Sequence, residues 1–287
     1  LTREVKGRDP DLVVWGESSV GADLGTRPDL AERLGALSGE VGAPVLVNVD
    51  ARSEDASGAP GIYKSSVLVG PDGPTGDRYD KMRLVPFGEY IPARSLLGWA
   101  TSVGRAAGED RLRGNAPVVM TLPGDGTQAP GPRLGPLVCF ESAFPDMSRR
   151  LTRDGAQVLV AQSATSSFQE SWAPEQHASL AALRAAESGR PMVHATLTGV
   201  SAVYAAGGER VGAPLSTERS TAAVYDVPLA TGSTLYVRFG DWAVYASVAL
   251  LAVLGAAGGL RVLRRPAPGR AGPPARTTRE SSRRPVR

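Results

Sequence analysis

One segment restricts this chain more than any other. Trp242–Leu260 reads WAVYASVALLAVLGAAGGL, 19 residues without a charge. A bilayer core of about 30 Å takes roughly 20 apolar residues in a helix. Arg238 and Asp241 bound the segment on one side; Arg261, Arg264 and Arg265 bound it on the other. Trp242 and Tyr245 stand at one end, where interfacial aromatic residues belong. A buried core helix is the alternative reading. The segment reads as a transmembrane helix over 242–260, because the stretch after it, 261–287, is rich in Arg, Pro and Ser and resembles a disordered tail rather than a domain that could bury it. The positive-inside rule then places that tail in the cytoplasm and residues 1–240 on the extracytoplasmic side.

Charge supports this division. The 287 residues carry a formal net charge of +3, yet residues 261–287 hold nine Arg and one Glu, which leaves the rest at −5. The basic character belongs to the tail, so a nucleic-acid-binding domain is excluded as a reading of the body. A hydrophobic fraction of 42% excludes wholesale disorder. One Cys excludes a disulfide framework and a Cys-cluster metal site, and two His (His177 and His194) leave no His-rich metal centre. No phosphate-cradling Gly loop is present. No metal or organic cofactor is therefore expected. Only Lys6, Lys64 and Lys81 are lysines, against 29 Arg; with abundant Ala, Gly and Pro, this suits a GC-rich bacterial genome. Residues 1–25 show no basic start followed by an apolar run. Export of the body without such a signal needs upstream membrane helices or a separate export route, and the start at Leu1 fits the expectation that membrane helices precede it.

The body, 1–230, reads as one α/β domain. Short apolar runs at Asp11–Trp15, Pro44–Val49, Ile62–Val69, Leu134–Phe140 and Gln157–Val160 predict buried strands. Further strands are expected at Met192–Ala195 and Val200–Ala205. Pro28–Val41 carries Leu30, Leu34, Leu37 and Val41 at helical spacing, with Pro at its start. A second helix is predicted over Pro174–Ser188. Alternating strands and helices imply a layered α/β fold. Residues 104–133 are rich in Gly and Pro and read as a long excursion.

Three strand ends carry reactive groups. Glu17 follows VVW, Lys81 lies in YDKMRLVPFGEYIP, and Cys139 lies in GPLVCFES. A thiol, a carboxylate and an ammonium are the parts of covalent acyl transfer. The thiol attacks after losing a proton, the carboxylate takes and returns that proton, and the ammonium stabilises the oxyanion. Each residue also has a plainer reading. Cys139 could be a small buried hydrophobe, Glu17 an exposed strand-end carboxylate and Lys81 a solvated loop residue. Against the last stands the chain's habit of writing Arg: a compact ammonium kept here is not interchangeable with a guanidinium. A Cys–His pair could form only through His177 or His194, and neither sits beside a strong motif. His177, in PEQH, is expected to pack or hydrogen-bond on its helix. The cluster Ser163–Ser167 lacks a Gly-x-Ser-x-Gly elbow and is set aside.

Taken jointly, these residues resemble the nitrilase (carbon–nitrogen hydrolase) superfamily. YDKMRLVPFGEYIP at 79–92 is the strongest match, and it is similar to the superfamily's membrane branch of apolipoprotein N-acyltransferases. The resemblance covers about residues 9–228 in matching order. It implies an αββα sandwich followed by one C-terminal transmembrane helix. It implies Glu17 as general base, Lys81 as oxyanion stabiliser and Cys139 as nucleophile. Glu89 matches a further glutamate near the triad, and Glu141 the glutamate two residues after the cysteine. The apolar cluster Leu96, Leu97 and Trp99, within 94–104, is either core packing or a lid that dips into the membrane surface; the resemblance favours the lid. The chain departs from the pattern at Trp15-Gly16-Glu17, where the family usually has Trp-Pro-Glu. It also departs at Phe140, where many members have Tyr, and after residue 161, where Asn-Asp-x-Trp-Phe is absent.

The leading expectation is a bacterial cell-membrane acyltransferase. Its donor would be a phospholipid, its acceptor the lipidated N-terminal Cys of an apolipoprotein, and its intermediate a thioester on Cys139. A membrane-tethered amidase, with water resolving the thioester, is the second reading. A non-catalytic membrane-anchored scaffold is the third.

Overall fold

The computed structural model describes residues 1–54, 58, 60–97, 109–124, 131–168 and 170–263. Strand β2 (Val45–Glu54) shows how the layers are ordered. Successive side chains of a strand leave on opposite faces. Val45, Val47 and Val49 join one apolar cluster with Leu34 of helix α1 (Pro28–Val41). Leu46, between them, joins a second cluster with Leu134, Leu137 and Leu159. The run PVLVNV is thus apolar on both faces because both faces are covered.

Two sheets result. The first has order β1-β2-β3-β4, with β1 (Val13–Val14), β3 (Pro60–Gly70) and β4 (Gly73–Asp80). β1 pairs parallel to β2, and the other two pairings are antiparallel. Between β4 and the second sheet lies a single helical turn, α2 (Arg94–Leu97). The second sheet runs β10-β9-β8-β7-β6-β5, from β5 (Met120–Thr121), β6 (Arg133–Val138), β7 (Val158–Ser163), β8 (Met192–Thr196), β9 (Ser201–Tyr204) and β10 (Arg210–Leu215). Its centre, β6-β7-β8, is parallel and its flanks are antiparallel. Helices α3 (Pro145–Arg153) and α4 (Ala173–Ser188) cover its outer face through Met147, Leu151, Ala181 and Ala185. The order of layers is helix, sheet, sheet, helix. Gln162 ties the sheets across the middle: its Nε2 donates to the Trp15 carbonyl at 2.8 Å and the Leu46 carbonyl at 3.2 Å.

The helix expected at 28–41 is present with those ends, and the elements expected at 44–49, 62–69, 174–188, 192–195 and 200–205 are present with shifted ends. The run Leu134–Phe140 is a strand only as far as Val138, because Cys139 adopts φ 47° and turns the chain into a short 3-10 helix, Cys139–Ala143. The strand expected over 157–160 instead runs Val158–Ser163, paired on both sides. Strand β4 was not foreseen, since GPTGDRYD shows no apolar alternation. The excursion 104–133 contains β5 and is in part outside the described residues.

Leu1–Gly240 forms one compact unit, completed by the short α5 (Leu235–Phe239), and Asp241–Arg287 forms another. The second unit contains α6 (Trp242–Leu263). Within it Trp242–Leu260 has mean hydropathy 2.0 and is long and apolar enough to cross a membrane.

Candidate active site

Glu17 leaves the end of β1. Its backbone N–H donates to the Ser163 carbonyl of the second sheet at 3.1 Å, and the Leu197 N–H reaches the same carbonyl at 2.9 Å. This approach leaves no room at Gly16: a Cβ there would lie 2.2 Å from the Leu197 nitrogen. The departure from Trp-Pro-Glu therefore has a local cause, a glycine under backbone contact.

Lys81 ends β4. Its N–H donates to the Lys64 carbonyl at 2.8 Å, and its own carbonyl accepts from Gly114 at 2.9 Å. Gly114 is pressed on the strand so closely that a Cβ would sit 2.0 Å from the Asp80 carbonyl oxygen. The side chain of Lys81 is 1% exposed, which removes the solvated-loop reading. Its Nζ donates to Glu17 Oε1 at 3.0 Å and to Glu89 Oε1 at 2.9 Å. Burial works against the ammonium, but Glu17, Cys139 and Glu89 outweigh it and raise its pKa. Glu89 is fixed in turn, with Oε2 accepting from the Val85 N–H at 2.7 Å.

Cys139 sits at the end of β6 in the left-handed region, a conformation that costs a non-glycine residue of order 1–3 kcal/mol. The turn brings its Sγ to 3.8 Å from the Ala164 carbonyl and 3.9 Å from His177 Nε2. Burial first, and the Glu17 carboxylate second, push the thiol up to about 12, while Lys81 pulls it down. A thiol held up in this way keeps its proton near neutral pH unless a neighbouring base takes it.

Glu141 lies beneath these groups, fully buried. Oε1 accepts from the Tyr79 hydroxyl at 2.7 Å and from the N–H groups of Met82 and Arg83 at 2.6 and 3.0 Å. Oε2 accepts from the Val138 N–H at 2.8 Å. One carboxylate thus staples the lysine loop to the cysteine turn. Burial pushes its pKa up against the pull of these donors.

The structure brings Glu17, Lys81, Glu89 and Cys139 together and puts Glu141 behind them. Leu96 is 77% exposed; the side chain of Leu97, and Trp99 altogether, lie outside the described residues. His177 departs from expectation. It reaches off its helix to Cys139 and to His194, where Nδ1 lies 2.9 Å from His194 Nε2. No local spacing marks these two histidines; only the register of β8 on β7 and of α4 above it brings them to the thiol. Among the described residues, no cluster of His, Cys, Asp and Glu is arranged to hold a metal.

Residues 3–235 match the carbon-nitrogen hydrolase family. The apolipoprotein N-acyltransferase of Geobacter metallireducens is 34% identical over 88% of this chain and 48% of its own length. Those of Sinorhizobium medicae and Pseudomonas aeruginosa are 38% and 31% identical, over 70% and 68% of this chain and 37% and 36% of theirs. The chain thus spans about half the length, or less, of these curated relatives. Among solved structures, an amidase from Nesterenkonia sp. superposes with TM-score 0.51 at 20% identity, covering 76% of this chain and 77% of the amidase. A CN-hydrolase superfamily protein from Xanthomonas campestris, with an arsenic adduct in its active site, gives TM-score 0.51 at 20% identity over 73% and 75%. On the match over 3–235, with the sandwich and the relatives in agreement, the chain belongs to the carbon-nitrogen hydrolase family.

Proposed function

We propose that residues 1–230 are the catalytic domain of a membrane-bound N-acyltransferase, with Cys139 as nucleophile, Glu17 as general base and acid, and Lys81 as oxyanion stabiliser. One observation carries the reading: the buried Lys81 Nζ bridges Glu17 and Glu89 at 3.0 and 2.9 Å. The identity to relatives named apolipoprotein N-acyltransferase supports the substrate class.

In the first step Cys139 Sγ attacks the ester carbonyl of a phospholipid as its proton passes to Glu17. Lys81 Nζ donates to the oxyanion. The intermediate collapses to a thioester, and the departing lysophospholipid oxygen takes the proton from Glu17. In the second step the free α-amine of an apolipoprotein's lipidated N-terminal Cys attacks the thioester. Glu17 takes a proton from the amine and returns it to the leaving sulfur. The product is an amide, and no cofactor enters.

Segment 242–260 would anchor the enzyme in the bacterial cell membrane, with tail 261–287 in the cytoplasm and the catalytic domain outside. The lid over 94–104, with Leu96 exposed, would meet the lipid surface.

The test uses the full chain in detergent with a phospholipid carrying a labelled acyl group. Label trapped on Cys139 as a hydroxylamine-sensitive thioester, then moved to a diacylated lipopeptide, is the expected result. Release of labelled free fatty acid without lipopeptide acylation would instead favour hydrolysis. A Cys139 that neither acylates nor reacts with a thiol reagent would leave only the scaffold reading.

A further inference from the structure

The two histidines form a chain that ends on the thiol. His194 is fully buried, and its Nδ1 lies 3.0 Å from the Val200 carbonyl oxygen. A carbonyl can only accept, so Nδ1 of His194 carries the hydrogen. In the neutral ring Nε2 is then a lone pair. That lone pair faces His177 Nδ1 at 2.9 Å and the Ser163 hydroxyl at 3.2 Å. His177 Nδ1 must therefore carry a hydrogen as well, since two lone pairs at that separation repel. By the same logic His177 Nε2 is left as a lone pair, and it lies 3.9 Å from Cys139 Sγ. Each tautomer is dictated by the next group along, starting from one backbone carbonyl.

We propose that His177, with its tautomer set by His194, is a positioning residue for the Cys139 nucleophile, presenting an acceptor nitrogen to the thiol hydrogen. The inference rests on the nucleophilic role assigned to Cys139 above. A thiol hydrogen turns freely about its Cβ–S bond, and three acceptors surround this one: the Ala164 carbonyl, the Glu17 carboxylate and His177. A fixed imidazole lone pair restricts that rotation and orients the sulfur. The ring must stay uncharged to do so. Burial lowers the pKa of His177, Lys81 adds to that effect, and Glu17 and the Cys139 carbonyl oppose it. Burial and His177 together bring His194 down to about 3. The proton released on attack goes to Glu17, as before.

The chain has two His and one Cys, which makes the test clean. The full chain, with 15N-labelled histidine, is studied in detergent micelles near neutral pH. Both rings are expected as the Nδ1–H tautomer, and iodoacetamide alkylation of Cys139 should shift His177 Nε2 while leaving His194 nearly unmoved. A neutral His177 protonated at Nε2, or one indifferent to alkylation, would overturn the proposal. His194→Asn keeps a donor for Val200 but removes the Nε2 acceptor; His177 should then become a mixture of tautomers, and an unchanged His177 spectrum would count against the relay. In acyl transfer, His177→Leu should lower kcat roughly 5- to 10-fold at unchanged KM, the worth of one modest hydrogen bond. His177→Gln, whose carbonyl can still accept, should recover most of that loss. Equal losses in both variants would reduce His177 to packing. If the wild-type chain transfers no acyl group at all, the proposed activity fails, while the tautomer and alkylation results still judge the relay.

Discussion

The Tyr79 hydroxyl donates to Glu141 Oε1 at 2.7 Å underneath the site, joining the end of β4 to the turn that presents the cysteine. Glu141 accepts three backbone N–H groups besides. Glu141→Gln necessarily turns an amide N–H toward at least one of those donors. It should cost roughly 1–3 kcal/mol of stability, read by thermal unfolding. Alkylation of Cys139 should become heterogeneous as the turn loosens. An unchanged melting temperature would mean the staple is idle.

Cys139→Ser should retain the fold and lose nearly all acyl transfer. A thiol held up to about 12 is already hard to ionise, and a hydroxyl is harder still. Mass spectrometry after incubation with donor lipid should find no acyl adduct on the variant. Turnover above a few per cent of wild type would remove Cys139 from the mechanism.

Glu17→Gln separates two quantities that usually fall together. The Glu17 charge raises the Cys139 pKa, so its removal lowers that pKa and increases the thiolate fraction at any given pH. Iodoacetamide should alkylate the variant faster than wild type. In wild type the alkylation rate should climb between about pH 7 and about pH 10 without a plateau, because the thiol pKa lies above that range. Acyl transfer should nonetheless drop by about 10²–10⁴-fold, the usual worth of a positioned general base. Slower alkylation together with intact turnover would reverse the assignment.

Lys81→Met strands two carboxylates, the buried Glu17 and the partly buried Glu89, without their shared cation. Breaking such a buried pair costs about 3–5 kcal/mol. The variant should therefore be both inactive and poorly folded, a harsher outcome than a loop lysine would give. Lys81→Met with Glu89→Gln should regain much of the stability and none of the activity. Lys81→Arg keeps the charge but overfills the site, and misplacement by about an ångström costs ~10²-fold in rate. Thermal unfolding measured beside acyl transfer separates the three; an active Lys81→Met would end the oxyanion role.

Orientation of the tail is checked in a Cys139→Ala background carrying Ser281→Cys. A membrane-impermeant thiol reagent applied from outside should fail to label position 281. Neutralising Arg261, Arg264 and Arg265 should raise that labelling. Full outside labelling of the unmodified tail would reject the topology.

Apolar runs made the interior strands legible, because the buried stretches of β2, β6 and β7 are covered on both faces and each carries a cluster of Val, Leu or Ala. β4 escaped notice because its buried side is carried mainly by Tyr79, amid Gly, Pro and charge. Glu17, Lys81 and Cys139 could be singled out because each follows a recognisable run within a motif. His177 and His194 could not. Their meaning lies in a 2.9 Å contact between a helix and a strand, 17 residues apart, which no local spacing encodes. Gly16 read as a departure from a pattern, and only the Leu197 backbone behind it shows why.

Glu17 and Lys81 descend from one sheet and Cys139 from the other, with Gln162 bridging the gap between them. The proposed chemistry would therefore lie astride the seam of the sandwich, owned by neither leaf. A small sliding of one leaf on the other would leave every strand, helix and most of the core intact while pulling thiol from ammonium. The reactivity of the lone cysteine is thus a gauge of how the leaves are seated, and it should fade on warming before any loss of secondary structure is visible.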